Sequence, residues 1–147
     1  MILDGKKESA LLREEIKKEI LEIKIRTNKS PGLSVILIGD FKPSQIYVKH
    51  KEKNSKEVGI NSEVIKYSKE VKELEVLEKI KELNNNDNVS GILVQLPLPT
   101  HISKEKIINA IKPSKDVDGF HPINAGNLSL GYKAIVPCTP LGCMLLI

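Results

Sequence analysis

At 147 residues, 40% of them apolar and none of them Trp, the chain is the size of one domain and must build its core from Ile, Leu and Val. Its net charge of +4 comes from 23 basic and 19 acidic residues interleaved along the sequence, with no basic run set among aromatics, which argues against nucleic acid as a partner and suits an acidic small molecule. Met1–Lys6 carries no apolar leader stretch and no apolar run reaches membrane-spanning length, so a soluble, cytoplasmic protein with no membrane partner is expected.

In chain order, Leu12, Ile16, Ile20 and Ile23 fall at helical spacing among Lys and Glu, predicting an amphipathic helix from Lys6 to about Arg26. Asn28–Gly32 is turn chemistry, with Pro31 closing off any helix. Leu33–Ile38 is a continuous apolar run stopped by Gly39, the pattern of a strand covered on both faces. Ser44 is predicted to cap a helix that runs to Val58, with Gly59 as its left-handed terminator. Ile60–Tyr67 reads as a second strand. Glu70–Leu83 reads as a helix with a Leu74, Leu77, Ile80, Leu83 stripe.

Asn84–Asn88 is a polar turn, and Val89–Gln95 is a third buried strand stopped by Pro97 and Pro99. Ser103 is predicted to cap a short helix through Ile111. Residues 113–137 show no convincing period, and an irregular stretch that long is more often functional than idle. Thr139 and Pro140 read as N-cap and first residue of a last helix. That helix ends on Leu145-Leu146-Ile147, an apolar finish that leads us to expect a truncated chain. Cys138 and Cys143 form no C-x-x-C pair and have no matching His/Cys set, so reduced thiols and no metal are expected.

Strands alternating with helices mean an α/β fold, with helices on both faces of a mainly parallel sheet. In such sheets ligands bind beyond the carboxyl ends of the strands. Those ends bring together Gly39–Ser44 with Tyr47 and Lys51 behind it, Gln95–Pro99, and Lys115–Gly119. Tyr47 and Lys51 are one helical turn apart and can share proton chemistry, or can be a packed Tyr beside a solvated Lys. Gln95 ends an apolar strand, as a pocket residue or a simple strand-end cap. Asp116 and Asp118 are compatible with a binding site or with turn and capping roles. His50, His101 and His121 are scattered and read as surface or packed residues.

Taken together, Gly39-Asp-x-x-x-Ser44-Gln-Ile-Tyr47-Val-x-x-Lys51, Gly91-Ile-Leu-Val-Gln-Leu-Pro-Leu98, Lys115-Asp-Val-Asp-Gly119 and Pro137-Cys-Thr-Pro-x-Gly142 resemble the FolD-type methylenetetrahydrofolate dehydrogenase/cyclohydrolases in order and spacing. The resemblance implies a three-layer αβα catalytic domain over 1–147, of the amino-acid-dehydrogenase-like N-terminal kind. About 137–147 would begin the helix linking it to a Rossmann domain that this sequence lacks. It implies oxidation of 5,10-methylenetetrahydrofolate with NADP, then hydrolysis to 10-formyltetrahydrofolate, within one-carbon metabolism and purine biosynthesis, by a homodimer. Lys51 would be catalytic, with Tyr47 stacking on the folate, Gln95 tuning the Lys and Asp118 binding the pterin. Ser44, Val94, Leu96 and Pro97 would complete the substrate pocket, and Cys138 and Thr139 would face an NADP held mainly by the other domain.

Two other readings compete. A short-chain dehydrogenase also uses Tyr-x-x-x-Lys but needs a glycine-rich turn after its first strand, which Gly39-Asp-Phe-Lys is not. A non-catalytic folate-binding or dimerising module would bind folate without turning it over.

Overall fold

The run Gly32–Ile38 forms the central strand, β1, and its burial explains its composition: Val35, Ile36, Leu37 and Ile38 are all buried, so both faces must be apolar. The computed structural model describes residues 3–147; Met1 and Ile2, where the expected absence of a leader begins, lie outside that range. The elements follow as α1 (Gly5–Thr27), β1, α2 (Lys42–Val58), β2 (Asn61–Tyr67), α3 (Glu73–Asn85), β3 (Gly91–Val94), α4 (Lys104–Ala110), α5 (Pro122–Ser129) and α6 (Cys138–Leu146). A single 3-10 turn, Pro113–Lys115, precedes α5.

The three strands are parallel in the order β2-β1-β3, with Val35 opposite Val64 on one side and Leu93 on the other. Side chains alternate between two layers. Ile36, Ile38, Ile92 and Val94 pack with Val76, Ile80 and Leu83 of α3 and with Ile107 of α4. Val35, Leu37 and Leu93 pack on Val48 of α2, with Leu33, Val64 and Val117 at the margin. Helix α1 adds little core, burying only Ile20 and leaving Leu12 exposed; it packs against α2. The result is the αβα sandwich that the strand–helix alternation implies.

Several boundaries differ from the sequence reading. Helix α2 begins before Ser44, with Phe41 at its N-cap and Pro43 in its first turn, so Ser44 is an internal, buried residue rather than a cap. A proline lacks the N–H that a cap would satisfy and is already set for helical φ, which moves the start upstream. Likewise α6 starts at Cys138 behind Pro137, and Thr139 lies inside it. The third strand is shorter than Val89–Gln95. Helix α3 starts at Glu73, not Glu70, and its C-terminal carbonyls are met by lysines: Lys115 Nζ donates to Leu83 O at 2.9 Å and Asn86 O at 2.8 Å. Ser103 does cap α4, its hydroxyl accepting from Lys106 N at 3.3 Å.

Candidate active site

A cleft of about 990 Å³ runs along the α2 side of the sheet, from Gly32 and Gly91 at the amino ends of β1 and β3 to Gln95 and Leu96 just past the carboxyl end of β3. Its lining also includes Tyr47, Lys51, Asp118 and Phe120. Helix α2 sets Tyr47 and Lys51 on one face, one turn apart, because it packs on the sheet through Val48. Tyr47 is 65% exposed, a ring with an open face at the cleft. Lys51 Nζ reaches Gln95 Oε1 at 3.4 Å. Gln95 Nε2 is committed to the Leu96 carbonyl at 2.8 Å, which leaves the amide oxygen facing Lys51. The same carbonyl accepts from Ser44 Oγ at 3.4 Å, so Ser44 and Gln95 share one anchor. The Leu96–Pro97 peptide after this anchor is cis.

The opposite wall comes from the segment after the 3-10 turn. Asp116 bridges to Ile92 at the edge of β3, placing the next residues beside the strand end. Gly119 then turns with φ +68°, and a Cβ there would come within 2.7 Å of Ile135 O. Asp118, between the two, has its carboxyl raised above the usual carboxylate value. Burial is the main cause, the positive charge of Lys51 opposes it, and the nearby Asp116 charge adds to it. A half-buried carboxyl, an ammonium held by a neutral amide and an open aromatic face thus line one space. They suit a flat, hydrogen-bonding ring carrying a reactive centre.

Residues 3–118 match the family described as tetrahydrofolate dehydrogenase/cyclohydrolase, catalytic domain. The chain belongs to this family. It is 60% identical over its whole length to the bifunctional protein FolD of Pelagibacter ubique, covering 52% of that protein, and 47% identical over 99% of its length to that of Listeria innocua, covering 51%. It therefore spans about half the length of the curated relatives it matches. Among solved structures, the FolD enzyme of Campylobacter jejuni superposes with a TM-score of 0.96 at 49% identity, with 99% of this chain and 52% of that one covered. The Trypanosoma brucei FolD, solved with NADP cofactor and an inhibitor, gives 0.94 at 33%, with 98% and 50% covered.

Of the residues that the FolD resemblance singles out, Tyr47, Lys51, Gln95, Leu96, Asp118, Cys138 and Thr139 all face the cleft. Ser44 lies behind it through the Leu96 carbonyl. Val94 is buried in the α3–α4 core, at a small void of about 20 Å³ shared with Leu96, Asp118 and Phe120, and Pro97 is exposed beside the cleft. Phe120, 46% exposed and bordering both the cleft and that void, was not foreseen, although an aromatic so close to Asp118 was a readable signal. Asp116 takes the capping role: its carboxylate accepts from His121 N at 2.8 Å and Asn124 Nδ2 at 2.9 Å. His121 in turn caps α5, and His101 Nε2 lies 2.9 Å from Val71 O.

The turn from β1 into α2 does not fit the pyrophosphate of a dinucleotide. It holds Phe41 and Pro43 where a pyrophosphate site needs close-approaching glycines and free N–H groups. Among the described residues no group of three His, Cys, Asp or Glu could hold a metal ion, and no helix is long and apolar enough to cross a membrane.

Proposed function

We propose that this chain forms the folate-binding wall and carries the proton-transfer residues of a methylenetetrahydrofolate dehydrogenase/cyclohydrolase, as one domain over 1–147. The reading rests on the Lys51–Gln95 contact, which lines the same cleft as Asp118 in a member of this family. In the hydrolytic reaction, water oxygen bonds to the cationic methenyl carbon while Lys51 in its amine form takes one of the water's protons. The C–N bond to one ring nitrogen then breaks, the remaining hydroxyl proton passes to that nitrogen, and 10-formyltetrahydrofolate results with one proton released overall. Gln95 orients that amine without adding a charge that would hold it protonated. Tyr47 stacks on the folate, and Asp118 pairs with the amide-like edge and amino group of the pterin. Ser44, Val94, Leu96 and Pro97 shape the pocket from behind and beside it.

NADP, the hydride acceptor of the oxidation, would be held mainly by a second, Rossmann-type lobe of the whole protein, with Cys138 and Thr139 at its margin and about 137–147 leading into the linking helix. We further place the protein in the cytoplasm as a homodimer serving purine biosynthesis; the two free, exposed thiols Cys138 and Cys143 agree with a reducing compartment. Two measurements on the purified chain test the reading. Tetrahydrofolate binding by calorimetry should be lost in Asp118→Ala, and methenyltetrahydrofolate hydrolysis should fall to background in Lys51→Met. A folded chain that binds no tetrahydrofolate, or hydrolysis indifferent to Lys51→Met, refutes it.

A further inference from the structure

Asp116, Asn124 and His121 form a buried polar unit that the proton chemistry above does not use. Their relative exposures are 3%, 6% and 8%. Asp116 Oδ2 accepts from the His121 backbone N–H and from Asn124 Nδ2, and Asn124 Nδ2 also donates to Pro113 O at 2.8 Å. The first of these bonds closes a ring of backbone over Val117, Asp118, Gly119 and Phe120. The other two fasten both ends of the preceding turn to α5. Three polar groups buried together, each with a partner, fix one conformation of the segment they enclose, because any other leaves a buried donor or acceptor unmet.

We propose that Asp116 and Asn124 are positioning residues that set the Asp118 carboxyl on the cleft wall, acting through the closed 116–121 ring rather than by touching the ligand. The inference rests on the reading of Asp118 as a ligand-binding group, but the ring can be tested without a ligand. Asp116 and Asp118 are two apart, and both border the small void behind the cleft, so a tether on the first transmits directly to the second. Outside the ring, Lys51 is the charged group acting on Asp118. Loss of the tether lets residues 117–120 swing outward, with Gly119 as the pivot, and carries Asp118 into water.

The test uses Asn124→Ala, which leaves Asp116, its charge and its bond from His121 N–H in place but removes the two bonds that fasten Asp116 and Pro113 to α5 and so hold the ring's acceptor still. The Asp118 carboxyl, followed by carbon NMR through a pH titration, should move from its raised value toward that of an ordinary carboxylate as burial is lost. Tetrahydrofolate affinity should fall by about tenfold, in the range of coupling between residues sharing one network. In the Asn124→Ala/Asp118→Asn double variant the loss should be no larger than in Asp118→Asn alone, whereas a merely structural defect would add. If the alanine variant does not fold, Asn124→Ser leaves a smaller void and carries the same measurements. An unmoved Asp118 titration in either folded variant overturns the proposal. Failure of the unaltered chain to bind tetrahydrofolate would sink the folate reading instead, with the titration still deciding the role of the ring.

Discussion

Gly91 opens β3 directly beneath the cleft, and a single methyl there tests how tightly the cleft wall is seated on the sheet. A Cβ at this position would lie 2.3 Å from Val117 Cγ1 and 3.6 Å from Leu33 Cδ1. The second distance is ordinary contact, and the first is more than an ångström too short. Val117 is β-branched with few χ1 options, so relief requires either a disfavoured rotamer or a backbone shift. Overpacking of this kind costs about 1–3 kcal/mol. Unfolding entropy of about 2.1 cal/mol/K per residue gives about 0.3 kcal/mol/K for this chain, so Gly91→Ala should lower Tm by about 3–10 °C. Differential scanning calorimetry reads the shift. Gly91→Ala/Val117→Ala, which removes the clashing methyl groups, should recover most of the loss caused by Gly91→Ala relative to Val117→Ala alone. An unchanged Tm, or a double variant in which the two losses simply add, would refute the packing argument.

Other expectations follow from the same geometry. Lys51→Met should abolish methenyltetrahydrofolate hydrolysis with Tm nearly unchanged, since the contact Lys51 makes is a single bond to Gln95 at the cleft edge; calorimetry beside the absorbance assay separates the two. The raised Asp118 carboxyl fixes a sign: the folded chain holds that proton longer than the unfolded chain, so stability falls as pH rises from the ordinary value of 3.8 through the folded one. Asp118→Asn should therefore be increasingly stabilising relative to the parent across that window and level off above it, as read by urea unfolding at a series of pH values. A gap that closes with rising pH would contradict the burial of Asp118. Lys115→Met should cost about 1 kcal/mol by removing two charge-assisted bonds from the Leu83 and Asn86 carbonyls, each of which keeps one backbone donor, and a denaturation midpoint equal to the parent's would rule that role out. NADP added to the purified chain should produce neither heat of binding nor absorbance of reduced cofactor in the presence of methylenetetrahydrofolate.

Much of this architecture is legible in the sequence because long-range packing and local pattern agree. The apolar run of β1 is buried on both faces, and the α3 stripe delivers Ile80 and Leu83 to the core. Leu74 of that stripe points out instead, and Val76 takes its place. The misses are local competitions. Pro43 and Pro137 start helices that Ser44 and Thr139 were expected to cap, a signal present in the sequence but outweighed by the hydroxyl side chains. Helix α5 went unseen because Pro122–Ser129 is short, lacks an apolar period and is capped by a histidine ring, whose Nδ1 accepts from Ile123 N at 3.1 Å. Gln95 is legible because it closes an apolar strand, and Tyr47 and Lys51 because they share one helix face; Phe120 is readable from its nearness to Asp118, whereas the Asp116 ring is built from side-chain bonds to a neighbouring turn that no periodic pattern displays.

The strand order has a consequence for how the site comes into being. Along β1, Ile36 pairs with Ile65 of β2 and with Val94 of β3, so the second partner lies twice as far along the chain as the first. Closing the longer loop costs about 0.6 kcal/mol more for each doubling. The β1–α2–β2 unit is therefore favoured to assemble first, with Tyr47 and Lys51 already mounted on its helix. Gln95 and Asp118 arrive only when β3 docks against the exposed edge of β1. The cleft is a seam between an early half and a late half of the folding chain, and amide hydrogen exchange should find its β3 side the first to open.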